Sequence, residues 1–391
     1  MLPSNVSVTR FHILAFMGIV IAPQGFKGTL SGIAAARAIE VGVRRVIPDA
    51  DIVLVPMADG GHGTLDVLLD ATDGKRFTTT VAGPRGNAVS ADWGALGDGI
   101  SAVVEMAQAS GLTLVPEGQR DPMQTTTYGT GQLIAAALEA GYRKIIIGVG
   151  GSATNDGGAG AAQALGVRLT DADGIDVALG AEGLLALAHA DLSQLRSEIS
   201  RTKILVATDV SNPLTGPEGA AYTYGPQKGA TLEMLPVLDM ALANMADVAE
   251  RDLGPQLRDA PGMGGAGGLA AGLVAFLGAS LLWGAEVVAD AVGLDELLVD
   301  AELVITGEGR IDWQTVFKKA PIEVAKRASL RGIPVIGIGG SLGPGADDVL
   351  SHGITLIEGC IAAEDAVPAT DGESHEALAN AAERAVRRWR S

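Results

Sequence analysis

The sequence predicts an α/β protein in which a parallel-sheet domain is built from both ends of the chain and a mixed α/β domain is inserted between them. Three observations carry this. Short β-branched runs alternate with helical patterns near the start, the same rhythm returns near the end, and the intervening stretch opens with consecutive strands. Alternation of strand and helix is how parallel strands joined by crossover helices read in a sequence.

Taken in order, residues 18–22 read as a buried first strand and 31–46 as its helix, then 52–56 as a strand and 63–71 as a helix. Residues 79–81, 89–93 and 102–106 read as successive strands, and 144–147 as another before the densest glycine block. The strand–helix rhythm resumes at 303–305, 321–330, 334–338, 346–351 and 355–357. A polar stretch, 364–374, reads as a surface loop before a last helix at 376–390. The division that follows is 17–78 with 289–391 for the discontinuous domain and 79–288 for the inserted one. Residues 1–16 read as an N-terminal extension, with Met17 as an alternative start. The apolar run 11–22 is too short to span a bilayer and lacks a small-x-small cleavage pattern, so it reads as strand rather than as a signal peptide.

Composition narrows the function. At 391 residues the chain buries a core without staples. Its one cysteine, Cys360, excludes an intrachain disulfide and suits a reducing cytoplasm. Five scattered histidines without a second ligand at metal spacing argue against a zinc or haem site. A net charge of −18 argues against nucleic acid as a partner, and no segment suggests a membrane. Neither argument excludes a nucleotide held by a few lysines, backbone N–H groups and Mg²⁺. Glycine, 54 residues, is used at about twice its ordinary frequency and clusters after apolar runs, where backbone must approach a ligand.

The candidate site residues lie in those glycine blocks. Gly25-Phe26-Lys27-Gly28-Thr29 follows the first strand and aims a lysine and N–H dipoles beyond the sheet edge, though no Walker A pattern occurs in the chain. Asp59-Gly60-Gly61-His62-Gly63 follows the second; Asp59 reads either as a helix N-cap or as a group for a substrate hydroxyl or a metal. The block 148–160 offers Gly150, Gly151, Ser152, Asn155 and Asp156 as a phosphate or Mg²⁺ loop. Asp209 and Glu308 stand directly behind apolar strands, at the sheet edge where ligands of open α/β sheets bind, and Lys228 in Gly225-Pro226-Gln227-Lys228-Gly229 is a further candidate.

Two rival functions compete. Gly148–Ala153 contains the loose G-x-G-x-x-A fingerprint of a dinucleotide-binding oxidoreductase, but more glycines follow where a helix should already have begun. Residues 339–343 fit G-x-S-x-G with Ser341 as an α/β-hydrolase nucleophile, but Pro344 and Gly345 interrupt the helix such an elbow requires.

In this order the blocks resemble the bacterial glycerate kinase family, from about residue 18 to the C-terminus. The resemblance is carried by Phe26-Lys27-Gly28, Ala58-Asp59-Gly60-Gly61, the stretch 125–131 with Thr127, Gly150 to Gly158, Asn212-Pro213-Leu214, Gly225 to Ala230, Gly264 to Gly268, and Thr306 to Asp312. It implies two α/β domains, one Rossmann-like and discontinuous, with the active site between them. It also implies ATP with Mg²⁺, D-glycerate as acceptor, and 2-phosphoglycerate as product. On it, Lys27, Arg310 and the loop N–H groups are assigned to phosphate or the acceptor carboxylate, Asp156 and Asp209 to Mg²⁺ or the hydroxyl proton, and Glu308 and Asp312 to orienting Arg310 or completing the site. The chain departs from the family's usual pattern at Gln24-Gly25, at His62, where the family has Glu, and at Lys318, where it has Gly. The sequence leaves a homodimer open.

Overall fold

In the computed structural model the protein is described over residues 17–26, 29–61, 63–317, 319–360 and 371–391. The extension 1–16, Lys27, Gly28, His62, Lys318 and residues 361–370 lie outside the described residues. The strands are β1 (Gly18–Pro23), β2 (Asp51–Leu54), β3 (Lys75–Ala82), β4 (Ala88–Ala95), β5 (Ser101–Glu105), β6 (Lys144–Gly148), β7 (Arg168–Thr170), β8 (His189–Asp191), β9 (Lys203–Thr208), β10 (Ser280–Trp283), β11 (Leu303–Ile311), β12 (Val335–Leu342) and β13 (Leu356–Gly359).

They form a five-stranded sheet in the order β13-β12-β11-β1-β2, a six-stranded sheet in the order β10-β9-β6-β5-β4-β3, and a small β7-β8 pair. The first sheet is parallel throughout. In the second, β3, β4 and β5 pair antiparallel and the rest run parallel.

Side chains alternate across both sheets. Ile19, Ile21, Leu303, Ile305, Ile336 and Ile338 face a core shared with the helices Gly32–Arg44 and Asp371–Arg390. Their neighbours Val20, Ala22, Val304 and Val335 face the opposite core, which also takes Val103, Ile146, Leu205 and Ala207 from the second sheet. The other face of the second sheet, with Val104, Ile145, Ile147, Ile204 and Val206, packs on a third core. A parallel sheet covered on both faces needs unbroken apolar strands, and this is why 19–22 and 145–147 carry no polar alternation. The continuous core between the sheets joins the two halves of the molecule.

The helix expected at 346–351 is instead a 3₁₀ segment, Ala346–His352, and residues 371–374, expected as loop, open the last helix.

Candidate active site

Strand order reverses in the first sheet between β1 and β11, because β1 leads through a helix to β2 on one side while β11 leads to β12 on the other. Loops leaving such a switch point diverge and leave a crevice beyond the carboxyl ends of the strands. The second sheet turns the ends of β6 and β9 toward it, and the result is one cleft of about 850 Å³ lined from both sheets.

The closeness of the two sheets explains part of the glycine excess. Gly60 has φ +88°, and a Cβ there would lie 2.5 Å from the Ala207 carbonyl oxygen at the end of β9. A Cβ on Gly150 would lie 2.6 Å from the Gly61 Cα, and the Gly150 N–H donates to the Gly60 carbonyl at 3.3 Å. Only glycine allows this contact of backbone on backbone. Its consequence is that Asp59, before the contact, and Asp209, two residues past Ala207, line the same cleft.

Asp59 is buried; it accepts from Gln24 Nε2 at 2.6 Å and from the Gly61 N–H at 3.3 Å. It is no N-cap, since the next helix, Thr64–Thr72, is entered through Gly63. Asp209 and burial together push the Tyr224 phenol up to about 12, burial being the larger cause. Gly61, Gly150, Gly151, Ser152 and Lys228 also line the cleft.

Asp156 does not. It has no exposed surface, and its carboxylate accepts from the Thr127 N–H (2.8 Å), Thr127 Oγ1 (2.9 Å), Thr126 Oγ1 (3.3 Å), and the N–H groups of Gly158 (3.2 Å) and Gly160 (3.3 Å). Burial raises its pKa while the Thr127, Gly158 and Gly160 donors pull it down. A carboxylate so engaged ties the 125–131 stretch to the loop after β6. Asp156 thus does not share the cleft wall with Asp209, and Thr127 donates to its carboxylate. Asn155 is also fully buried, next to Asp156.

Glu308, Arg310 and Asp312 sit at the end of β11 and do not line the cleft wall, although Glu308 is close enough to Asp59 for the two charges to repel. Burial raises the Glu308 pKa against the pull of Lys319, whose Nζ lies 3.3 Å away, and of Thr315 Oγ1, which donates at 2.8 Å. Arg310, half exposed, pairs with Asp312 at 3.2 Å. Lys27, Gly28 and His62 fall outside the described residues.

Glu105 was not singled out from the sequence. It ends β5, is buried, and accepts from the Leu65 N–H at 2.7 Å, joining the second sheet to the helix behind Asp59. The signal was available: it is an acid closing an apolar strand, as Glu308 is.

Both rival functions lose their geometry. Ser341 lies within β12, paired opposite Arg310, and the segment after it is the 3₁₀ turn Ala346–His352 rather than the α-helix an elbow needs. After Gly148–Ala153 the next helix begins only at Ala159 and spans six residues, too late and too short for a dinucleotide turn.

Carboxylates, a lysine and glycine-rich backbone at the facing edges of two α/β sheets define a small-molecule phosphotransferase cleft. The chain belongs to the glycerate kinase family, whose family model matches residues 19–390. It is 50% identical over 368 residues to a glycerate kinase of Halalkalibacterium halodurans, covering 93% of this chain and 97% of that one. It is likewise 50% identical over 341 residues to the glycerate 2-kinase of Escherichia coli K12, covering 87% and 90%. A crystal structure assigned as glycerate kinase 2 from Salmonella typhimurium LT2 superposes with a TM-score of 0.84 at 48% identity, over 96% of this chain and 98% of that one.

Proposed function

We propose that the protein transfers the γ-phosphoryl group of ATP to a hydroxyl of D-glycerate, giving 2-phosphoglycerate. Family membership supports the reaction, the glycerate 2-kinase relative supports the product, and the observation that carries the site is the meeting of Asp59 and Asp209 in one cleft. Two hard carboxylates suit Mg²⁺, which takes one or two protein oxygens and fills its shell with phosphate and water. Among the described residues no three His, Cys, Asp or Glu gather into a metal cage. Asp59 and Asp209 would hold the ion, which when bound neutralises charge on the transferred phosphoryl group.

The chain's own groups supply the rest. Gly151 and Ser152 line the cleft and serve as phosphate donors, and cost no reorganisation because the Gly150 N–H, bonded to the Gly60 carbonyl, holds the loop in place. Asp209 takes the proton of the attacking hydroxyl; in a loose transition state a positioned carboxylate is base enough. Glu308 stands behind the cleft wall, near enough to Asp59 to repel its charge.

The two-domain division is proposed on the same footing, supported by a first sheet drawn from both ends of the chain and a second drawn from its middle. Every group invoked comes from one chain, so the reaction does not call for a homodimer. A cytoplasmic setting is supported by the single cysteine, Cys360, whose thiol burial pushes up to about 12. Among the described residues no helix is long and apolar enough to cross a membrane. The test is an ATP/Mg²⁺ assay against a panel of small hydroxy acids, with the product position read by phosphorus NMR. Glycerate-dependent ADP release is expected; its absence with every acid overturns the proposal.

A further inference from the structure

Lys228 is the largest side chain with almost no exposure, 2%, yet it reaches the cleft wall. Its ammonium nitrogen donates to one acceptor, the Thr154 carbonyl at 2.7 Å, leaving two of its three hydrogens uncommitted. Among the described residues no carboxylate forms an ion pair with it. Asp156 attracts it electrostatically, but that carboxylate is spent on Thr126, Thr127, Gly158 and Gly160. The residues beside its acceptor are also unsatisfied: Thr154 Oγ1 and both Asn155 Oδ1 and Nδ2 are buried without a hydrogen-bond partner. Buried polar groups are nearly always paired, and three orphans next to a buried lysine at the wall of a cleft mark a place where a polar ligand completes the structure.

We infer that Lys228 is the anchor for the carboxylate of the acid acceptor, supported from behind the cleft wall by the orphaned amide of Asn155, the next residue in the chain after its Thr154 acceptor. The inference rests on the reading of the protein as a glycerate kinase. A small carboxylate fits better than a nucleotide's phosphate chain because Lys228 as a whole is only 2% exposed. A carboxylate on carbon 1 held there would leave the acceptor's hydroxyl to project toward Asp209, which lines the same cleft. No covalent step is involved: the incoming anion pairs with the ammonium, and Lys228 takes up a solvent proton when it begins neutral.

The setting also predicts a pH signature. Burial lowers the Lys228 pKa to about 7, with Asp156 pulling the other way. Other charged or titratable groups near it are Asp209 and Tyr224 in the cleft and Arg120, whose Nη1 donates to the Gln227 carbonyl at 3.2 Å. With a pKa near 7, kcat/KM for glycerate falls as pH rises above about 7, because the free enzyme loses the ammonium that the anion needs.

The experiment compares wild type, Lys228→Met, Lys228→Arg and Asn155→Ala with D-glycerate and with glycerol, which lacks the carboxylate, from pH 6 to 9. Binding of D-glycerate is followed in parallel by calorimetry. The expected result for Lys228→Met at pH 7 is a KM for D-glycerate raised roughly ten- to a hundredfold, the loss of one charged hydrogen bond. KM for ATP stays within about twofold and the alkaline fall disappears. Lys228→Arg keeps the charge and moves the fall out of the range, and Asn155→Ala gives a smaller rise of the same kind. Wild type and Lys228→Met should use glycerol equally poorly. Equal losses on glycerate and glycerol, a rise in KM for ATP instead, or an unchanged pH profile would overturn the anchor while leaving the kinase. D-glycerate bound through Lys228 without turnover would keep the anchor and remove the kinase; neither binding nor turnover removes both.

Discussion

Replacing Lys228 by Met should change the stability of the ligand-free protein in opposite directions at low and high pH. The lysine's pKa falls from 10.5 to about 7 in the fold. At about 1.4 kcal/mol per pH unit this places a cost on the order of 5 kcal/mol on holding the ammonium in the folded protein. The folded pKa lies below the unfolded one, so the cost is absent above about pH 10.5, grows as pH falls from there toward 7, and is complete below 7. Lys228→Met removes that cost and fills the volume, but leaves the Thr154 carbonyl without the donor it has at 2.7 Å, a loss of about 1–3 kcal/mol at any pH. The variant should therefore be more stable than wild type by about 2–4 kcal/mol at pH 6.5 and less stable by about 1–3 kcal/mol near pH 10.5. Urea unfolding followed by fluorescence of the four tryptophans at pH 6.5, 8.5 and 10.5 measures it. A difference of constant size across that range, or one that favours wild type more as pH falls, would refute the reasoning.

The remaining expectations concern the cleft and its supports. Asp209→Asn should lower kcat roughly 10²–10⁴-fold with an unchanged unfolding midpoint, as expected for loss of a proton acceptor or metal ligand; initial rates with D-glycerate show it, and a near-normal kcat would remove Asp209 from the chemistry. Asp156→Asn should instead destabilise, by roughly 2–4 kcal/mol, because an amide nitrogen placed among five donors must face at least one N–H such as that of Gly158; a loss of activity without loss of stability would contradict its role as a tie. Gly60→Ala should cost roughly 2–5 kcal/mol, from a positive φ and a Cβ forced to within 2.5 Å of the Ala207 carbonyl; thermal denaturation decides, and a neutral result would mean that the two sheet edges are not in contact. Ser341→Ala, inside β12, should leave phosphoryl transfer intact and reveal no esterase to lose.

Much of the architecture was legible because buried parallel strands have a distinctive composition. Runs such as 19–22, 145–147, 204–207 and 303–305 are apolar on both faces, and two of them lead to acids, Asp209 just past β9 and Glu308 within β11 beyond its apolar run. The same rule would have found Glu105, had it been applied to β5. What sequence could not separate was two uses of one residue type. Asp156 and Asp209 each follow a glycine- or strand-rich approach to the same side of the second sheet, and nothing local tells a carboxylate that binds substrate from one that binds backbone. The difference lies in partners about thirty positions away: Thr126 and Thr127 turn three donors onto Asp156 and close it off, whereas the chain beyond Asp209 leaves it on the cleft wall. Lys228 shows the converse. The sequence offers it as a site candidate, but nothing in Gly-Pro-Gln-Lys-Gly says that the lysine is buried, since lysines are rarely so. The left-handed Gly229 packs instead on Arg120, where a Cβ would lie 2.5 Å from the carbonyl oxygen, and this long-range contact accompanies an inward-facing Lys228. A charge carried inward without a counter-ion works against the fold unless a ligand supplies one, so the residue least legible from its local sequence is the one whose burial argues most strongly for an anionic substrate.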